Sequence, residues 1–209
     1  MQTRSHRTRQ SLVRAMAELI ADGQPSDAGL VNICRKAGVS RGALYHHFPS
    51  TAMLAAEVHR QAHHQIVALM TEAFRQDATD ASRRFLVSLV ESLRTNKVVR
   101  AGMQLAGDGS FQQPWLRDEM LLMLHERITD TERHTAFRAE DLAELVVVVT
   151  AGLETLGRSD PKWWEPGSVN RLWAMLRLLF GALGTHTEPA PATPVAVSSA
   201  QLPEQLSSG

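Results

Sequence analysis

Arg41, Tyr45, His46 and His47 fall directly after the turn Gly38-Val39-Ser40 and directly before Pro49. A guanidinium group presents a fork of donors that matches the O6 and N7 acceptors of guanine in the major groove of a duplex. Phenol and imidazole groups can bond phosphate oxygens, which positions a protein on DNA without reading its sequence. Arg41 is therefore the expected base reader, Tyr45 and His47 the expected phosphate contacts, and His46 can serve either way. Gly42, beside Arg41, removes a side chain where backbone would approach a ligand closely. Arg4, Arg7 and Arg9 open the chain as a basic arm suited to a phosphate strand or an adjacent groove, with an affinity that falls as salt rises.

Other residues invite other chemistry. His59 and His63 have the spacing that puts two imidazoles on one helical face, with His64 alongside, and zinc is the obvious ligand. No glutamate stands between them in a protease-like arrangement and no cysteine is near, so a solvated or core-edge role is expected and no metal. An enzyme using these histidines with Glu57 is the rival reading. It lacks a Ser/His/Asp order, a glycine-rich phosphate loop or a zinc signature, so neither a catalytic residue nor a cofactor is expected. Gln104, Trp115 and Thr150 bring hydrogen-bonding or aromatic character into otherwise apolar segments. That is how a small-molecule pocket is lined, and it is equally compatible with simple packing.

Charge separates the two ends of the chain. The 209 residues carry no net charge, yet residues 1 to 48 hold 7 Lys or Arg against 3 acids, and the remainder 15 against 19. A positive head attracts a polyanion and a negative body does not. Hydrophobic residues at 44% and charged residues at 21% describe an ordinary globular chain. The basic, amphipathic start argues against a cleaved secretory signal, and no apolar run reaches the roughly 18 residues of a membrane span. With Cys34 as a lone thiol, the expected compartment is the cytoplasm.

These residues need elements to hold them. Leu12, Ala15, Met16, Leu19 and Ile20 mark one face of a first helix, and Leu30, Ile33, Cys34 and Ala37 a short second one closed by Gly38. Ser40 is a good N-cap for a third, which its neighbours must support because isolated helices below about 12 residues are marginal. Ala43, Leu44 and Phe48 can face inward, leaving Arg41, Gly42, Tyr45 and His46 outward. Ser50 then caps a long helix to about Arg75. Further apolar-faced helices are expected around Phe85 to Leu93, Val98 to Leu105, Leu116 to Ile128, Glu140 to Leu156 and from Pro166 or Ser168 to about Gly184, with Trp163 and Trp164 in a loop able to shield a dimer interface. The tail carries four of the nine prolines and few large apolar groups, so it is expected to be disordered.

The chain is thus expected to be all-α. A helix-turn-helix domain at 1–49 is joined to a helical ligand-binding and dimerisation domain at 50–184, followed by the tail at 185–209. Three short helices with a tight glycine turn between the second and third form a unit whose last helix enters the major groove, with Ser40 at its start.

The stretch "VNICRKAGVSRGALYHHFPS" resembles the DNA-binding signature of the tetracycline-repressor (TetR) family of transcriptional regulators, over roughly residues 8 to 55. "NKVVRAGMQLAGD" is similar to the γ-butyrolactone autoregulator receptors within it, whose heads commonly read "KGALYFHFPSK" where this chain has Arg41, His46 and Thr51. The resemblance implies a homodimer with a four-helix interface of C-terminal helices, and a body enclosing a pocket for a small inducer. It implies a repressor that binds a pseudo-palindromic operator in double-stranded DNA and is released by a small apolar signalling ligand. The alternative is a divergent pseudo-receptor, or a constitutive DNA-binding protein without that ligand.

Overall fold

The computed structural model describes residues 2–22, 29–75, 80–105, 116–131 and 139–183. The expected disordered tail at 185–209 and the pocket candidate Trp115 lie outside them. Every regular element among the described residues is helical: α1 (Gln2–Ala21), α2 (Leu30–Ala37), α3 (Arg41–His47), α4 (Thr51–Arg75), α5 (Ala81–Thr95), α6 (Lys97–Leu105), α7 (Leu116–Thr131), α8 (Ala139–Ser159) and α9 (Pro166–Leu183), with one 3-10 turn, Pro161–Trp164, between the last two. The N-terminal arginines therefore do not form a free arm. They ride on a continuous helix, since the apolar stripe of α1 is buried along the head and carries the chain before it into register.

Two apolar clusters organise the chain. The first joins α1, α2 and α3 through Leu12, Met16, Ile20, Ile33, Leu44 and Phe48, and takes in Leu54, Ala55 and Val58 from the start of α4. The second fills the body with Ile66, Met70, Phe85, Leu89, Met120, Leu124, Val146 and others. Helix α6 belongs to both. Its Ala101 and Leu105 pack in the first cluster, its Val99 and Met103 in the second. A helix of 9 residues can turn two faces to two cores because i, i+4 pairs share a face while neighbours in sequence do not.

Trp163 and Trp164 form part of the 3-10 turn and do not lie in an open loop. Asp160 caps it by accepting from the Lys162 N–H, and Trp164 is buried in the body, lying over Gly157, where an added Cβ would meet the indole at about 2 Å. On the same indole the Arg100 guanidinium stacks 4.5 Å from the ring centroid. Trp164 is thus spent inside the chain and shields no surface.

Among the described residues from α7 onward, the exposed large apolar side chains are Leu122 on α7, 67% exposed, Val148 and Leu156 on α8, 67% and 46% exposed, and Met175 on α9, 53% exposed. Val148 and Leu156 are two turns apart and so share a face.

Candidate nucleic-acid interface

The turn before α3 is built as its residue types dictate. Gly38 adopts φ 66°, ψ 33°, the left-handed conformation that costs a glycine least, and its N–H bonds to Arg35 O while Val39 N–H bonds to Cys34 O. Ser40 then swings to extended backbone and its Oγ accepts from the Ala43 N–H at 3.1 Å. At the far end Phe48 N–H closes on Leu44 O at 2.8 Å, and Ser50 Oγ accepts from Met53 N–H at 3.1 Å to start α4. Helix α3 has 7 residues and is anchored at its base by fully buried Leu44 and by Phe48.

The anchoring decides what faces out. Ser40, Arg41, Gly42, Tyr45 and His46 are exposed, Tyr45 by 53%, and His47 is half-buried. The His46 and His47 rings meet edge to face at 5.2 Å. Around Gly42 a Cβ would touch only Ser40 Oγ, at an ordinary 3.8 Å, so nothing inside the chain requires a glycine there. Arg4 and Arg7 are exposed on the first turns of α1.

Arg9 does something different. Its two terminal nitrogens bond both carboxylate oxygens of Glu57 on α4, each at 2.9 Å, and its guanidinium lies 4.9 Å from the Phe48 ring centroid. Glu57 also accepts from Arg60 at 2.6 and 3.0 Å and from Gln61 at 2.7 Å. The hydrogen bonds from Arg60 and Arg9 outweigh the cost of burial and hold its carboxyl far below the usual carboxylate range. This clamp fixes α1 to the corner between α3 and α4. Sequence reading grouped Arg9 with the free basic residues and missed it, because its partner lies 48 positions away.

The described cations in the body and at the head's flanks are likewise occupied. Lys36 pairs with Glu18, Lys97 with Asp22, Arg94 with Glu91, and Arg100 donates to the carbonyls of Leu93 and Arg94. Among the arginine and lysine side chains that are described, those with neither a hydrogen bond nor an ion pair are Arg4, Arg7, Arg14 and Arg41. All belong to the head, so positive charge that the fold does not neutralise collects there.

The body's candidates are placed separately. Thr150 is fully buried on α8 and its hydroxyl donates to Val146 O at 2.7 Å, so its proton is used within its own helix. Gln104 on α6 is half-buried, with an Nε2 that is shielded and unpartnered among the described residues. Of the histidines on α4, His59 is buried, His63 lies 3.6 Å from Glu119 Oε2, and His64 is exposed. Burial pushes the His59 imidazole down from its ordinary value, with His63 adding to the effect and Glu119 opposing it. Among the described residues no group of three ligating side chains could hold a metal ion, and no helix is long and apolar enough to cross a membrane.

Comparison with known proteins agrees with this geometry. Residues 12–58 match the model for bacterial regulatory proteins of the tetR family. The A-factor receptor protein of Streptomyces griseus is 30% identical over 117 residues, which is 54% of this chain and 41% of that protein, so the chain matches less than half the length of this curated relative. A crystal structure of a γ-butyrolactone receptor, described as ArpA-like, superposes with a TM-score of 0.70 at 23% identity, covering 83% of this chain and 87% of that one. CprB from S. coelicolor, in complex with its operator sequence, gives 0.68 at 23% identity, covering 88% and 100%.

Proposed function

We infer, from a chain whose residues 12–58 belong to the tetR family of bacterial regulatory proteins and whose fold is that of γ-butyrolactone receptors, that it is a ligand-responsive transcriptional repressor acting in the cytoplasm. The observation that carries this reading is the unneutralised, outward set Arg4, Arg7 and Arg41 around an α3 whose buried side is pinned by Leu44 and Phe48.

In this reading α3 enters the major groove of operator DNA. Arg41 reads guanine, Ser40, Tyr45 and His47 hold phosphates, His46 serves either role, and Gly42 lets the backbone close on the duplex. Arg4 and Arg7 add salt-sensitive phosphate contacts from α1. Two chains pair through α8 and α9, covering Val148, Leu156 and Met175, and present two heads to a pseudo-palindromic site. Half-sites then lie about 34 Å apart, one helical turn of DNA.

Release follows from the helices that both cores share, α4 and α6. A small apolar ligand in the body, such as a γ-butyrolactone, with Gln104, Trp115 and Thr150 among its lining, would press on α6 from the Val99 and Met103 side. Ala101 and Leu105 pass that displacement to the head. The ligand acts only through its preference for the DNA-incompetent form, where about 1.4 kcal/mol changes the ratio tenfold and near-complete switching needs about 5.5.

An electrophoretic shift of bound promoter fragments, with and without a γ-butyrolactone, tests the proposal. Release by the lactone, with a rise in melting temperature of the free protein, is the expected result. Binding that ignores the lactone, with no thermal stabilisation, would assign the chain to the constitutive or pseudo-receptor reading.

A further inference from the structure

We propose that the groove between α1, α4 and α6 is a binding site for a small amphiphilic anion, an organic phosphate or carboxylate with an apolar body. This site lies apart from α3 and from the core of the body, shares Arg7 with the phosphate contacts inferred above, and does not rest on the repressor reading.

The groove encloses about 330 Å³ and is lined by Arg7, Gln10, Ser11, Val13, Arg14, Gln61 and Val98. That volume lies at the lower end of small-molecule sites, which run from roughly 300 to 1,000 Å³. Arg7, Gln10, Ser11 and Arg14 stand at i, i+3, i+4 and i+7, so one face of α1 supplies the polar wall. The two arginines are about 10.5 Å apart along the helix axis, from 1.5 Å of rise per residue, close enough for both forks to reach one anion lying between them.

What sets this face apart is its missing counter-charge. Arg14 is exposed and, like Arg7, has no partner among the described residues, although its position in the middle of α1 is remote in sequence from the recognition helix. No carboxylate lines the groove. Glu57, which Gln61 reaches from the groove side, already accepts from Arg9 and Arg60 and has no capacity to spare for Arg7 or Arg14. Val13, 2% exposed, and Val98, which packs against both apolar clusters, supply an apolar wall. Two cationic forks, amide and hydroxyl groups and a pair of valines fit an anion that carries a hydrocarbon part. Because Val98 belongs to α6 and the arginines to α1, an occupant would tie the head to a helix that reaches both cores, and its binding would be linked to head position.

Isothermal titration of the full-length protein, without DNA, tests this with phenyl phosphate, inorganic phosphate and phenol at matched ionic strength. The expected result is saturable binding of phenyl phosphate, weaker binding of inorganic phosphate and none of phenol. Arg14→Ala should weaken phenyl phosphate by about tenfold or more, Arg14→Lys by less, and Arg75→Ala, the same charge change far from the groove, not at all. Absence of saturable binding overturns the proposal, as does an Arg14→Ala affinity equal to that of the wild type or matched by Arg75→Ala. If phenyl phosphate fails to bind while Arg14→Ala weakens duplex DNA, the groove serves a nucleic-acid phosphate and the proposal is likewise overturned.

Discussion

Gly102 of α6 lies so close to Ala62 of α4 that a methyl group added to it would sit 2.2 Å from the Ala62 Cβ, with Leu116 Cδ2 next at 3.5 Å. The close contact is with the Ala62 Cβ, fixed to the α4 backbone and not the flexible end of a long side chain, so the crossing can open only by moving a helix. Gly102→Ala is expected to cost about 1–3 kcal/mol, the usual penalty for overpacking a core, read by urea denaturation. Ala62→Gly in the same background should restore part of the loss beyond the helix-propensity cost of the new glycine, giving a coupling energy in the double-mutant cycle. Independent, additive losses would show that the crossing is not shared.

The Glu57 clamp predicts unequal costs for its members. Glu57→Gln leaves Arg9 and Arg60 without a carboxylate and should destabilise by about 1–2 kcal/mol, because bonds to a buried charged acceptor are lost. Arg60→Ala, whose side chain is 65% exposed, should cost less than about 0.5 kcal/mol. Equal melting temperatures for the wild type and Glu57→Gln would show that α1 is not held to the α3–α4 corner by this carboxylate.

Much of the head was legible in sequence because its signals are local. Gly38, Ser40 and Ser50 each act within three or four residues, and the stripe of α1 and the pair Leu44 and Phe48 repeat at helical spacing. Those signals are enough to say which side of α3 faces solvent. Contacts between distant segments were not legible. Arg9 looks like any basic residue until Glu57 is brought to it, and Lys97 until Asp22 is. The membership of α6 in two cores has no trace in its own apolar pattern, which serves one core as well as two. Trp164 was expected in a loop because Asp160, Pro161 and Pro166 suggest one, but an indole over a glycine gains more from burial than an open loop offers. Arg14 carries no signal in the sequence, because Glu18 stands at i+4 as an apparent partner until the fold pairs it with Lys36 and leaves no carboxylate in the groove.

His59 gives a pH dependence with a defined sign. Its imidazole is 6% exposed and held below its ordinary value of 6.5 mainly by desolvation. The unfolded chain therefore takes up a proton near 6.5 that the folded chain takes up only at lower pH, so the contribution to stability is complete above about 6.5 and is lost as pH falls below it. Urea midpoints measured from pH 7.5 to 5.5 should fall for the wild type and fall less steeply for His59→Asn. Parallel curves would remove His59 from the explanation.

Repression as proposed depends on Arg41 of α3 reading a duplex and on two chains presenting it together. Selection of fragments from a pool of random duplexes by the purified protein tests this most directly, followed by titration of the recovered sequence with wild type and Arg41→Ala. The expected result is recovery of a two-fold symmetric sequence bound by two chains. Arg41→Ala should melt like the wild type and lose about 1–3 kcal/mol of discrimination at one base pair in each half-site. Recovery of no symmetric sequence, or a variant that binds and discriminates as the wild type does, would contradict it.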